Sequence, residues 1–164
     1  MNYQDFTKTI QNQISLLPQE RLLDLALKIC KELFFEYQTF SEKYKWGNPD
    51  FLLDGINLGD MALKNEGDFT QIRELMSKID SVTPDMNDYK SDELASYALN
   101  AAASVYETLE FLLDNDRLHI INLATYYTDT FDFKVREDND LTPEEIDNHP
   151  LMIKARQFLL NETK

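Results

Sequence analysis

The side chains able to do chemistry in this chain are chiefly carboxylates, 30 acids against 16 lysines and arginines, joined by two histidines and one cysteine. Glu32 and Glu36 are four residues apart, Glu107 and Glu110 three, and Asp114 lies just before Asp116. Helical spacing puts such pairs on a shared face. Two carboxylates there can hold a divalent cation or share a proton. Asp116-Arg117-Leu118-His119 adds an acid and a histidine at a three-residue step. A di-iron bundle requires two Glu-x-x-His pairs and two further glutamates. This chain has aspartate in place of the glutamate and no second copy. A carboxylate-based metal centre or enzyme using Glu32, Glu36, Glu107 and His119 is therefore the alternative reading, and it requires acids from three helices to converge on one cavity.

Other chemistries find less support. His119 and His149 are not in a zinc-ligand spacing, and a single cysteine cannot complete a structural zinc site. His149 precedes Pro150 and is expected to cap or precede a helix. Cys30 falls mid-helix in an apolar pattern, away from any helix N-terminus that would lower its pKa, and reads as a small buried thiol. There is no Gly-rich phosphate loop, no G-x-S-x-G and no dinucleotide fingerprint. No residue is assigned a catalytic, cofactor-binding or metal role, and no cofactor is expected.

Charge points elsewhere. The formal net charge is −14. Residues 1–82 carry 13 acids and 9 bases, whereas residues 83–164 carry 17 acids and 7 bases, a net of −10. Nucleic acid binds through lysine and arginine, so an acidic surface disfavours it, and anionic lipid likewise. A basic protein partner is allowed. The acidic connection from Glu137 to Asp147 supplies the candidate partner-binding residues Glu137, Asp138, Asp140, Glu144 and Glu145. Nothing in the sequence predicts a homo-oligomer.

The elements that must position these groups are helical. Leu22, Ala26, Ile29, Leu33, Tyr37, Phe40 and Tyr44 recur at steps of three or four, the stripe of one long amphipathic helix. Glycine (4) and proline (5) are scarce, which favours long helices over hairpins. The reading is a single all-α domain over residues 1–164, about seven helices around a central Ala-rich helix at residues 91–114. Gly47 is expected to stop the second helix and Asn48-Pro49 to start the third. Gly55 and Gly59 are expected to let another backbone approach. Asp68 with Gln71 resembles a capping box for the fourth helix, and Ser91 is expected to cap the fifth. Thr142-Pro143-Glu144-Glu145 reads as a capping box on a short turn. A last helix follows, its apolar face drawn as Leu151, Ile153, Phe158 and Leu159. No basic, apolar leader opens the sequence and no apolar run reaches membrane length, so a cytoplasmic protein without membrane contact is expected.

The run Leu17-Pro18, Ala26-Leu27-Lys28-Ile29-Cys30-Lys31-Glu32, Phe35-Glu36-Tyr37-Gln38-Thr39-Phe40, Glu42 and Trp46-Gly47 resembles the YjaG-like family of uncharacterised bacterial proteins. Tyr97 to Leu113 and Asn148-His149-Pro150-Leu151-Met152 with Gln157 are similar too, so the likeness spans most of the chain. The chain departs from that pattern in a shorter C-terminus. The resemblance implies an all-helical fold and carries no activity with it. Taken together, these readings favour a non-enzymatic protein-interaction or regulatory module.

Overall fold

The computed structural model describes residues 1–137 and 139–164. Its helices are α1 (Tyr3–Leu16), α2 (Gln19–Tyr44), α3 (Pro49–Leu63), α4 (Ile72–Ser81), α5 (Glu93–Asp114), α6 (Arg117–Arg136), α7 (Pro143–Asp147) and α8 (Pro150–Glu162), with a short 3-10 turn at Met86–Asp88. Among the described residues there is no strand, and the protein is all-α as the apolar period requires. Among the described residues the helices number eight, because the Thr142 turn is a helix in its own right. Thr142 and Glu145 form the expected reciprocal cap, and Pro143 occupies the first turn. No helix among the described residues is long and apolar enough to cross a membrane.

Helices α2 and α5 make the most extensive contact in the fold. The α2 stripe buries Leu22, Ala26, Ile29, Leu33, Tyr37 and Phe40 to 2% exposure or less. Facing it, α5 contributes Ala95, Ala98, Ala101 and Ala102, small residues that let two helix axes run close. Cys30 is buried here beside the Thr108 hydroxyl, and burial pushes its thiol up to about 12. It is inert as a nucleophile. Helix α3 packs on both α2 and α5, where Gly55 and Gly59 are buried. A Cβ at Gly55 would lie 2.5 Å from Val105 Cγ1, and one at Gly59 the same distance from Leu27 Cδ2. The close approach that these glycines permit is thus to side chains, not to another backbone.

Several helix ends differ from expectation. Helix α2 ends on Lys45, which takes the left-handed conformation at φ 49°. Gly47 follows at φ 82°, where a side chain would also strike the Tyr37 hydroxyl. Asn48 caps α3 as expected, its side chain accepting from the Asp50 amide. Gln71 makes no side-chain cap on α4, because Asp68 turns instead to the amide of Thr70. Asp92, not Ser91, caps α5; it accepts from Leu94 and is held by Lys43 at 2.5 Å.

Helix α6 packs along α5, and α8 lies on α6 with α1 against both. The short α7 touches α6 and α8 and is anchored by Ile146, which packs with Val135 and Met152 in a small separate cluster. The buried residues of α8 are Met152, Ala155, Arg156 and Leu159. Leu151 and Ile153, drawn on its inner face from sequence, are 41% and 52% exposed. Arg156 lies on the buried face instead, and its charge shapes the site.

Candidate functional site

The α6–α7–α8 corner brings charged groups together around a cleft of about 310 Å³. Asp129 and Asp132 lie three apart on α6, so they share a face, and Arg136 follows Asp132 by one turn. Asp147 ends α7, and Arg156 lies on α8. All five line the cleft with Tyr3 of α1 at its edge.

The charges divide into two ion pairs and a remainder. Arg136 Nε donates to Asp132 Oδ2 at 2.8 Å, and Arg156 Nη2 donates to Asp147 Oδ1 at 2.7 Å. Arg156 Nη1 also donates to the Met1 carbonyl at 3.0 Å, and the guanidinium lies 5.4 Å from the centre of the Phe6 ring. Its Nε is buried and has no acceptor. Asp129 is partly buried and has no hydrogen-bond or ion-pair partner among the described residues. Burial and the neighbouring Asp132 both push its carboxyl above the usual aspartate range. Two guanidiniums are matched by two aspartates, and Asp129 is left uncompensated.

The acidic connection borders this cleft. Asp140 and Glu144 are exposed, and their carboxylates pair with no base among the described residues. Glu145 is committed to the Thr142 cap, and Glu137 accepts a 3.4 Å hydrogen bond from the Tyr97 hydroxyl. Asp138 lies outside the described residues.

The four groups proposed for a metal centre do not gather at one place. Glu32 accepts from the Tyr127 hydroxyl at 2.6 Å, and Glu36 is paired with Lys134. Both are used to fasten α2 to α6. Glu107 and His119 do meet, at the joint where Asn115 ends α5 in a left-handed turn and Asp116 caps α6. Glu107 Oε2 faces His119 Nδ1, with Glu110 Oε2 at 3.1 Å from the same nitrogen. Asp114 Oδ2 lies 2.9 Å from Nε2. Asn122 Nδ2 donates to the other Glu107 oxygen at 3.0 Å. Burial alone would lower the His119 pKa, but hydrogen bonds to Asp114 and Glu107 outweigh it, and the value is raised.

With carboxylates at both ring nitrogens, His119 is best satisfied as an imidazolium that donates to each, clamping the end of α5 to the start of α6. Its contribution is present in full below the unfolded histidine value of 6.5 and is lost as pH rises through the raised folded value. Wild type should therefore exceed a His119→Gln variant in melting temperature by more at about pH 6 than at about pH 9. Melting curves at the two pH values check this; a difference independent of pH would contradict it.

Sequence reasoning passed over Asp129, Asp132, Asp147 and Arg156. Arg156 falls on the same helical face as Met152, Ala155 and Leu159, a face that the spread of apolar residues around α8 does not single out.

No curated protein matches this chain. The crystal structure of a DUF416 family protein from Shewanella baltica OS155 is similar with a TM-score of 0.82 at 19% identity, over 93% of this chain and 80% of that one. At that identity the likeness shows the fold alone. A family described as "Protein of unknown function (DUF416)" matches residues 9–161.

Proposed function

The chain belongs to the DUF416 family, and on that footing we propose that it is a non-enzymatic protein-interaction module whose acidic α6–α8 face receives a basic protein partner. The observation that carries this reading is the surplus of uncommitted negative charge there. Asp140 and Glu144 stand in solvent, and Asp129 sits uncompensated in the adjoining cleft. An excess of one sign over one face steers an oppositely charged partner and makes its association sensitive to salt. The same sign repels phosphate backbones and anionic lipid, so neither is proposed as a partner. The narrower likeness to YjaG-like proteins belongs to this reading too, and with it a bacterial cytoplasmic setting.

The test is affinity capture with the intact chain at low and at moderate salt, followed by identification of what is retained. The expected result is a basic protein recovered at low salt and largely lost at moderate salt. Recovery of a partner indifferent to salt would overturn the reading, and so would recovery of none.

One observation favours a second reading, a divalent cation at the α5–α6 joint. The ligand atoms of Glu107, Glu110 and His119 lie within 4.8 Å of one another. A cation there must displace the proton on Nδ1, so its binding would strengthen with rising pH. Equilibrium dialysis against zinc, with His119→Ala as control, decides it: one equivalent taken up by the wild type alone supports a metal, and equal uptake by both removes it.

A further inference from the structure

We propose that a second cleft, between the start of α2 and the ends of α3 and α5, binds a small organic amine with a flat apolar body. The body lies against leucine and phenylalanine side chains, and the ammonium meets the negative potential of the cleft. This cleft shares no lining residue with the one between α6, α7 and α8, so the inference does not rest on the partner reading.

Size and lining suit a small molecule. The volume is about 530 Å³, within the roughly 300–1,000 Å³ of ligand sites. Leu23 and Phe111, both buried, line it together with the half-buried Leu63 and Leu112. Phe69 is 39% exposed and adds an aromatic wall that water reaches. A flat apolar group set against these side chains leaves water on both surfaces.

The wall is formed in advance. After α3 the chain turns through Asn65 at φ 56° and Gly67 at φ 109°, and the Glu66 amide donates to the Met61 carbonyl at 2.8 Å. Gly67 takes a backbone conformation that a side chain would strain. A Cβ placed there would lie 3.6 Å from Phe69 Cε1, so the ring rests beside the glycine. A ligand entering the cleft does not have to order this segment first.

Electrostatics sets the sign of the occupant. No lysine, arginine or histidine lines the cleft, and its charged groups are Glu20 and Glu66. Neither carboxylate has a hydrogen-bond or ion-pair partner among the described residues. Glu20 lies in the first turn of α2, where the positive end of its own helix already favours it. Glu66 has no such helix. Helix α3 reaches the cleft through its last turn at Ala62 and Leu63, and α5 through Leu112 and its cap Asn115. Neither helix has a basic residue in its last turn, and Lys64, the cap of α3, does not line the cleft. Helix C-terminal ends favour a cation. Two such ends and Glu66 therefore call for a positive group, and the open face of Phe69 attracts an ammonium as well.

The probe is phenethylamine, titrated into the intact, isotope-labelled chain and followed by amide chemical shifts. Phenethyl alcohol keeps the ring without the charge, and phenylacetate reverses the charge. Phenethylamine should shift the amides of Leu23, Phe69, Leu112 and Asn115 to saturation. It should bind at least about threefold more tightly than the alcohol, the size of one exposed ion pair, and phenylacetate should bind least. Glu66 is exposed, so Glu66→Gln should fold as the wild type does. In that variant the preference for amine over alcohol should fall below about twofold, since the amide keeps the shape and loses the charge. Phe69→Ala should weaken amine and alcohol alike. Equal binding of amine and alcohol by wild type would overturn the proposal, as would tighter binding of phenylacetate or an unchanged preference in Glu66→Gln. Shifts confined to other parts of the chain, or none that saturate, would overturn the cleft as the site. A capped leucyl-lysine peptide that binds more tightly than phenethylamine would overturn a free small molecule as the occupant.

Discussion

Replacing Asp147 by alanine should destabilise the protein by about 3 kcal/mol, because it leaves the buried Arg156 cation without its counter-charge. Arg156 is 7% exposed at the side chain, and Asp147 is its one carboxylate partner among the described residues. Its remaining contacts are the Met1 carbonyl and the face of the Phe6 ring, which solvate a cation but do not neutralise it. Asp147 is itself 20% exposed, so water gains some access when it is truncated. The lower part of the usual range for breaking a buried pair is therefore expected, roughly 3–5 kcal/mol. Arg156→Met should cost less, since it keeps the aliphatic stem and leaves behind an aspartate that water can reach. Urea denaturation of the two variants checks both values. A loss for Asp147→Ala under about 1 kcal/mol, the size of an exposed pair, would mean that the guanidinium is not desolvated in solution.

The second large effect lies near the C-terminal end of α2. Phe40 is fully buried, with ring centres of Tyr44 and Tyr89 at 5.1 Å, Trp46 at 6.0 Å and Tyr37 at 6.3 Å. Phe40→Ala should cost about 3–5 kcal/mol, from lost transfer free energy and the cavity left behind. Its aromatic neighbours add about 0.5–1.5 kcal/mol per well-placed ring pair, which favours the upper half of that range. Trp46, the single tryptophan, meets Phe40 edge to face and reports the change in fluorescence. A loss below about 2 kcal/mol would show that the surrounding rings collapse into the space.

Phe40 also illustrates what a sequence can disclose. It belongs to a stripe in which Leu22, Ala26, Ile29, Leu33 and Tyr37 are buried, while Tyr44, the last residue that the helical period names, is half-buried. The alanine face of α5 was readable for the same reason. Capping chemistry was readable at Asn48 and Thr142 and misread at Asp68, whose carboxylate takes the nearby Thr70 amide instead of capping α4. Asp92 caps α5 while held by Lys43, 49 residues away, and nothing near Ser91 reveals that.

The site was far less legible. In α8 the apolar residues lie on more than one face, so period alone could not say that Met152 turns inward while Ile153 turns out. Arginine is rarely buried, and here a partner on another helix, Asp147, decides it. Glu36 looked like half of a carboxylate pair, yet it meets Lys134, 98 residues further along. Glu107 and His119 lie twelve residues apart across a tight joint, close enough for their meeting to be anticipated. Long-range pairing decides which acids are spent on the fold and which are left over.

Those leftover acids are the heart of the matter. The decisive measurement is the association rate of the purified, identified partner with this chain as salt is raised. An acidic face that receives a basic partner predicts a rate that falls steeply with ionic strength while the dissociation rate changes far less. An association rate that stays level across the same range would contradict it.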